Sequence, residues 1–350
     1  MHEQEKGPPK VLCLAWAPSS PRMDELSKEI SAKRVNLSLL YGPMFLAPFR
    51  YLFLFLRTLI LLASEGPDIV FAQNPAIFCP LTCLLYCKLR RKKLLIDHHC
   101  VWSVKTFSGT LLGSIIYKIE CFVDRAADLN SAPHSEWGKM LARMGAKKVS
   151  VIYDYVSRNQ FKRDKEIRKK YAPGFEIVSM APHGGHPLER VESEVFAIAQ
   201  NPRAMLLITG PREKMNSKIS EILGRTPPPN VRFLGFLPKV EYERLKASSD
   251  FALSITDEPY TLSHALLEFA ASFVPVISTR QKAVEELFGD SIIYVESSER
   301  NEVARRVSEV INNPQVLQDF SKRIAAKFEE MTAMHEESIR DLRKMIERMS

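Results

Sequence analysis

Short apolar runs of strand length alternate with longer helix-patterned segments along this whole sequence, in two successive series. That alternation leaves few architectures open. A parallel strand is reached by a crossover, usually a helix, so the pattern predicts parallel α/β units. In the first series residues 11–17, 36–41, 68–72, 93–97, 129–132 and 149–153 read as strands. In the second, residues 176–181, 204–209, 231–236, 251–255, 275–278 and 292–295 do the same. The run Lys93–Leu94–Leu95–Ile96 is apolar without alternation, which suits a sheet covered by helices on both faces.

Between the two series, residues 157–174 are charged and poor in strand signals, and 158–174 read as a linker. The expected fold is therefore α/β, with two Rossmann-like domains facing across a cleft. Their predicted spans are residues 1–157 and 175–312, followed by helix-patterned residues 313–350. The last forty residues read as two helices, 316–328 and 335–349, packing outside the second domain or crossing back to the first. In open sheets of this kind ligands bind outside the carboxyl ends of the strands. Candidate site residues are accordingly those that end strands.

Charge and cysteine content narrow the chemistry. The net charge of +8 favours an anionic partner: nucleic acid, phospholipid headgroups or a phosphorylated substrate. No interleaving of aromatic and basic residues supports nucleic acid, and no G-x-G-x-x-G fingerprint supports a dehydrogenase. Cys79, Cys83 and Cys87 recur every four residues, a single helical stripe without nearby C-x-x-C pairs or histidines. They read as core residues, and no metal is expected. Residues 1–10 are polar, so no signal peptide is expected. The apolar stretch 45–63 is interrupted by Pro48, Arg50 and Arg57, so no transmembrane helix is expected either.

The most informative stretch is 251–278. A strand leads into a polar loop holding Tyr260 and Thr261, a helix is predicted to start near Ser263, and Glu268 falls in its second turn. A helix amino terminus presents unpaired N–H groups to a diphosphate, and Glu268 is placed to accept hydrogen bonds from ribose hydroxyls, unless it is only a solvated helix residue. His183 begins a glycine-containing loop at another strand end, and Gly210, Arg212 and Lys214 follow a third. Both cations read equally well as surface charges. In the first domain Asp97, His98 and His99 end a strand; they suit a base or acceptor contact, a buried structural role, or a metal. Arg22 follows the first strand, where a cation meets a diphosphate or simply solvates a helix turn.

These pieces resemble the donor-binding segment of two-Rossmann-domain (GT-B) glycosyltransferases. A narrower similarity is to the β-mannosyltransferases that add the first mannose to dolichol-linked chitobiose. It is carried by Ser20–Pro21–Arg22–Met23, Gln73–Asn74–Pro75, Asp97 with His99, the run 124–130, Tyr153–Asp154, the run 208–211, the run 247–250 and the Glu268 segment. The wider retaining group places a second glutamate eight positions before the first; here that position is Tyr260, as fits an inverting family. Cys100, and His264–Ala265 ahead of Glu268, depart from the family pattern.

The resemblance implies a hexosyltransferase moving mannose from GDP-mannose, or another sugar from its nucleotide, to a polyprenyl or dolichyl (pyro)phosphate-linked acceptor. It implies inversion and no metal. His99 is the implied base, with Asp97 as base or orienting carboxylate. Ser20, Arg22, Asn74 and His98 would meet the acceptor on the membrane side. His183, Gly210, Arg212, Lys214, Tyr260, Thr261, Ser263 and Glu268 would hold the donor. An apolar helix over 45–63 beside Lys88, Arg90, Arg91, Lys92 and Lys93 suits docking on an anionic membrane surface, although a buried Rossmann helix beside a solvated loop would read the same way. The expected location is cytoplasmic, peripheral to the cytoplasmic face of a membrane. Two other functions fit the same residues: a catalytically silent membrane partner that recruits another transferase, and a soluble nucleotide-sugar enzyme of this fold.

Overall fold

The computed structural model describes residues 7–38, 44–98, 109–183, 188–211, 228–257, 260 and 262–349. Two compact units emerge, Met1–Asp154 with Ala333–Ser350, and Tyr155–Thr332.

The first unit holds strands β1 (Val11–Ala15), β2 (Lys33–Asn36), β3 (Ile69–Asn74), β4 (Lys93–His98), β5 (Leu129–Ala132) and β6 (Val149–Val151). All pair in parallel, in the order β2-β1-β3-β4-β5-β6. Helices α1 (Pro21–Glu29), α2 (Ala47–Glu65), α3 (Phe78–Arg90), α4 (Leu111–Ala126) and α5 (Ser135–Met144) connect them. Alternate side chains of each strand serve opposite faces. Leu12, Val70, Leu94 and Ile96 pack with Leu54 and Leu62 of α2, the three cysteines of α3 and Val123 of α4. Val11, Cys13, Ile69 and Leu95 pack with Met23 and Leu26 of α1 and with Ile339 and Leu342. Burial pushes the Cys13 thiol up to about 12, and it raises Cys83 and Cys87 as well. These are core residues.

The second unit holds β7 (Ile177–Pro182), β8 (Ala204–Thr209), β9 (Val231–Gly235), β10 (Phe251–Ser254), β11 (Val276–Thr279) and β12 (Ile293–Val295). They pair in the order β12-β11-β10-β7-β8-β9, again parallel throughout. Its helices are α6 (Lys165–Tyr171), α7 (Val191–Ala199), α8 (Lys239–Ala247), α9 (His264–Ala270), α10 (Lys282–Phe288), α11 (Arg300–Asn312) and the start of α12 (Pro314–Glu347). Strand order reverses between β1 and β3 in one sheet and between β7 and β10 in the other. Those two switch points mark where a crevice opens at the carboxyl edge.

Three elements differ from the sequence reading. β2 is Lys33–Asn36, ending where the stretch read as this strand, 36–41, begins (39–41 lie outside the described residues); its register follows from pairing with β1 at the sheet edge, where half-exposed polar residues are tolerated. The stretch read as a linker belongs to the second unit. Asp164 caps α6, Arg244 pairs with Asp164, and Arg168 reaches Asp250 and the Ser248 carbonyl. The two C-terminal helices are one, since nothing between 328 and 335 breaks the helical pattern. From residue 333 α12 is part of the first unit, where His335 meets the Tyr153 carbonyl at 2.7 Å and Glu29 at 2.8 Å.

Candidate active site

In the second unit the switch point is built around His183, the residue after β7. Its Nε2 lies 2.7 Å from Glu194 Oε2 and its Nδ1 3.4 Å from Glu189. Glu194 sits in the first turn of α7, fully buried, and its other oxygen accepts the Ile255 N–H at 3.0 Å. One carboxylate thus ties the ends of β7 and β10 together across the switch. Burial works against charge on the His183 ring, but Glu194 and Glu189 outweigh it and raise its pKa to about 10. Both ring nitrogens are committed to these carboxylates, so the imidazolium pins the strand ends around which a donor would bind.

That assignment predicts a pH dependence. A raised histidine pKa contributes stability in full below its unfolded value of 6.5 and loses it as pH rises toward about 10. Urea unfolding of wild type should weaken across that interval, and His183→Gln should flatten the change. A His183→Gln profile that tracks wild type would remove the ion pair from the account.

Gly210, after β8, completes this edge. Its φ of +114° is outside the range side-chain-bearing residues favour, and a Cβ there would overlap the His183 carbonyl oxygen. The Gly210 N–H donates to the Gly235 carbonyl at 3.0 Å, and the His183 N–H to the Thr209 carbonyl at 3.0 Å. The backbone of three strand ends is packed without room for a side chain.

Glu268 joins the same edge through Tyr242 of α8. The phenol donates to Glu268 Oε2 at 2.7 Å and also meets the Thr209 side chain at the end of β8. Burial, then the Glu268 carboxylate, raise the Tyr242 pKa and keep it a donor. Lys246, only 1% exposed, lies 3.4 Å from Glu268 and 3.0 Å from Glu243, with its ammonium over the Tyr242 ring. Glu268 is thus held by one buried cation and one phenol, while Oε1 faces His264 at 3.8 Å. Helix α9 has only seven residues, which limits its dipole, and Ser263 makes no side-chain capping bond. Tyr260 is half-buried in a turn. Arg212, Lys214 and Thr261 lie outside the described residues.

In the first unit the predicted acceptor residues are brought together, but turned inward. Ser20 caps α1 by accepting the Met23 N–H. The Arg22 guanidinium bonds Asp97 through Nε and Nη2 at 2.9–3.1 Å, and its Nη1 reaches Asp154 at 2.5 Å. Burial opposes the Arg22 charge, yet Asp97 and then Asp154 raise its pKa overall. Asp97 is 0% exposed and also accepts from Ser131 at 2.7 Å. Its oxygens are occupied by bonds within the fold, which suits an orienting carboxylate better than a base.

Asn74 and His98, ending β3 and β4, form a second buried group. Asn74 Nδ2 donates to Glu120 at 2.6 Å and lies 3.3 Å from His98 Nδ1. His98 Nε2 is 3.2 Å from Asn130 Oδ1 and 3.3 Å from Asp124. Burial disfavours charge on this ring too, while Asp124 and Glu120 raise its pKa. His99 lies outside the described residues. Among the described residues no group of three histidine, cysteine or carboxylate side chains is placed to hold a metal.

Sequence reasoning did not single out Glu194, Tyr242, Lys246 or Glu120. A signal was present for Glu194 and Glu120, charged groups inside otherwise apolar helical patterns, as in Val191–Ala199, where glutamates interrupt the buried face; α8, KVEYERLKA, is charged along its length and offers none for Tyr242 and Lys246.

Residues 192–327 match the family model of glycosyl transferases group 1. Two parallel six-stranded sheets, each carrying polar groups at its switch point, are the fold of the GT-B glycosyltransferases, and the matched stretch places a group 1 glycosyl transferase domain in the second unit. Among solved structures the chain is similar to HepE of Anabaena, crystallised with UDP-glucose. The TM-score is 0.77 at 16% identity, over 95% of this chain and 99% of that one. It is similar also to sucrose-phosphate synthase of Thermosynechococcus elongatus, with TM-score 0.75, 14% identity and coverage of 95% and 99%. A glycosyltransferase of Rickettsia africae gives 0.71 and 13%, with coverage of 97% and 98%. At such identities the likeness concerns the fold. No curated protein matches in sequence.

Proposed function

We propose that the protein transfers a hexose, mannose by its resemblance, from a nucleotide-diphosphate donor held by the second unit to a polyprenyl or dolichyl (pyro)phosphate-linked acceptor held by the first. The observation that carries the donor side is the His183 imidazolium fixed by Glu194 between β7 and β10, beside Gly210 and the Glu268–Tyr242 pair. A departing diphosphate needs preorganised positive groups where its charge develops, and His183, its ring nitrogens held by Glu194 and Glu189, fixes the edge at which they act. Glu268 receives the ribose hydroxyls. Arg212 and Lys214 add charge to the diphosphate, and Tyr260, Thr261 and Ser263 line the sugar side. On the acceptor side His99 is the general base of an inverting transfer. Asp97, locked to Arg22 and Ser131, fixes the strand end from which His99 follows. Ser20, Arg22, Asn74 and His98 hold that edge in shape. The enzyme works on the cytoplasmic face of a membrane, with α2 and the basic residues 88–93 against anionic headgroups.

HepE was solved with uridine nucleotides, whereas the resemblance favours guanosine, so the nucleotide is the first thing to test. Thermal shift with GDP, UDP and their sugars should show selective stabilisation by one nucleotide, lost in Glu268→Ala. Stabilisation that survives Glu268→Ala moves the ribose elsewhere. No stabilisation of a well-folded protein by any nucleotide overturns the donor site.

A further inference from the structure

We propose that α4 joins α2 as a second lipid-seated helix, so that the outer wall of the first unit, formed by α2, α4 and the end of α3, rests on an anionic bilayer surface. This builds on the lipid-linked acceptor reading and adds the surface from which that acceptor is taken.

The wall is continuous. α3 packs against α2 on one side and α4 on the other, and all three cover the same face of the sheet. α2 buries only Leu54, Thr58 and Leu62, with Tyr51 against Trp16 and Phe78, while Phe49 and Ile60 are 70% exposed. On α4, Leu111 is 81% exposed, and Ile115 and Phe122 follow on the same helical stripe. Among the described residues, all exposed large hydrophobic side chains except Phe161, Phe236 and Val240 lie on or beside these three helices. A patch of that concentration marks an interaction site.

Charge selects the partner. Across residues 44–65, 78–93 and 109–126 the acidic residues are Glu65, which closes α2 paired with Lys10 and Lys33, and Glu120 and Asp124, both buried against Asn74 and His98. The charges exposed on the wall are Arg57, Lys88, Arg90, Arg91, Lys118 and Arg125, all positive. Apolar side chains interleaved with cations and no exposed carboxylate match an anionic lipid surface.

Topology makes the wall lie on the bilayer and not cross it. By length and composition α2 is able to span a membrane, against the expectation from Arg50 and Arg57. It is nonetheless the crossover from β2 to β3, strands that flank β1 in one sheet, and Trp16 donates to its Thr58 at 2.9 Å. Removing it to a bilayer core would dismantle the sheet. Because crossover helices run antiparallel to their strands, Phe49, Leu111 and Ile115 lie toward the carboxyl edge where Asn74 and His98 sit. A lipid-linked acceptor would leave the surface beside the site.

The test is co-sedimentation of the full chain with phosphatidylcholine vesicles, with and without phosphatidylglycerol. Wild type should bind the anionic vesicles. The triple variant Leu111→Ser, Ile115→Ser, Phe122→Ser should bind about 100-fold more weakly. Lys118→Glu with Arg125→Glu should lose about tenfold or more on anionic vesicles only. All five positions are exposed, and circular dichroism checks that both variants fold. Unchanged vesicle binding by the serine variant overturns the role of α4, and absence of wild-type binding overturns the surface. A concentration-dependent dimer abolished by the serine variant would assign the wall to a second copy and overturn it too. Nucleotide thermal shifts should be identical in wild type and variants; their loss in all three would count against the transfer reading and not against this surface.

Discussion

Replacing Arg22 with methionine is expected to destabilise the first unit by about 3–5 kcal/mol, because it removes the buried guanidinium that balances Asp97, a carboxylate with no solvent access. The readout is urea unfolding followed by tryptophan fluorescence; Trp16 and Trp137 belong to this unit and residues 155–332 contain no tryptophan, so the signal does not come from the second unit. Asp97→Leu in the Arg22→Met background should recover most of the loss, since replacing both members of a buried pair removes the unbalanced charge. This cycle also separates two roles for the arginine. A guanidinium held for an acceptor diphosphate would leave stability nearly unchanged when removed, and such a result would return Arg22 to the acceptor site suggested by sequence. The geometry, with three guanidinium nitrogens turned toward Asp97 and Asp154, predicts the large loss.

Gly210→Ala should be similarly severe in the second unit. The new Cβ meets the His183 carbonyl oxygen, which is backbone and cannot swing aside, at a φ that disfavours any side chain. Strain and overpacking together are expected to cost about 3 kcal/mol or more. Displacing the strand ends that His183 holds should also weaken nucleotide binding by at least about tenfold, the loss of one hydrogen-bonded contact to the ligand. Thermal unfolding and calorimetric titration with GDP and UDP measure the two effects separately. An alanine variant with wild-type stability would mean that the ends of β7 and β8 are not packed this closely. Reduced nucleotide affinity at unchanged stability would assign Gly210 to direct backbone approach by the ligand.

Much of the fold was legible because buried parallel strands are near-continuous apolar runs, and both their faces demand it. Strands at 129–132 and 204–209 were located to the residue, and most others to within one or two. β2 was misplaced because an edge strand carries no such demand: Lys33, Arg34 and Asn36 are polar, and their pairing with β1 decides. Helix α6 hid inside a charged stretch because its anchors are ion pairs to Asp250 and Arg244, distant in sequence.

The site was legible to the extent that position at a strand end is a property of the chain. His183, Gly210, Asn74 and His98 could be named on that ground. What each does could not. Whether a histidine is charged depends on which carboxylates surround it, and Glu194 meets His183 only because the first turn of α7 reaches the ends of β7 and β10. Whether an arginine faces a ligand or a buried aspartate depends on which way its side chain turns. Arg22 and Asp97 are 75 positions apart, and the sheet alone makes them neighbours.

The sequence by itself determined the two α/β units and the strand ends from which a site can be built, since hydrophobic periodicity and turn residues are local. It also placed an apolar stretch beside a basic one. Only the tertiary structure decided that Asp97 and Arg22 neutralise each other, that His183 is held positive and that Glu268 is fixed by Tyr242 and Lys246. It also turned the acids of α4 inward and left cations and apolar side chains outside. Those are consequences of burial and of contacts between segments far apart in the chain, and electrostatics follows distance in space, which the order of residues does not contain.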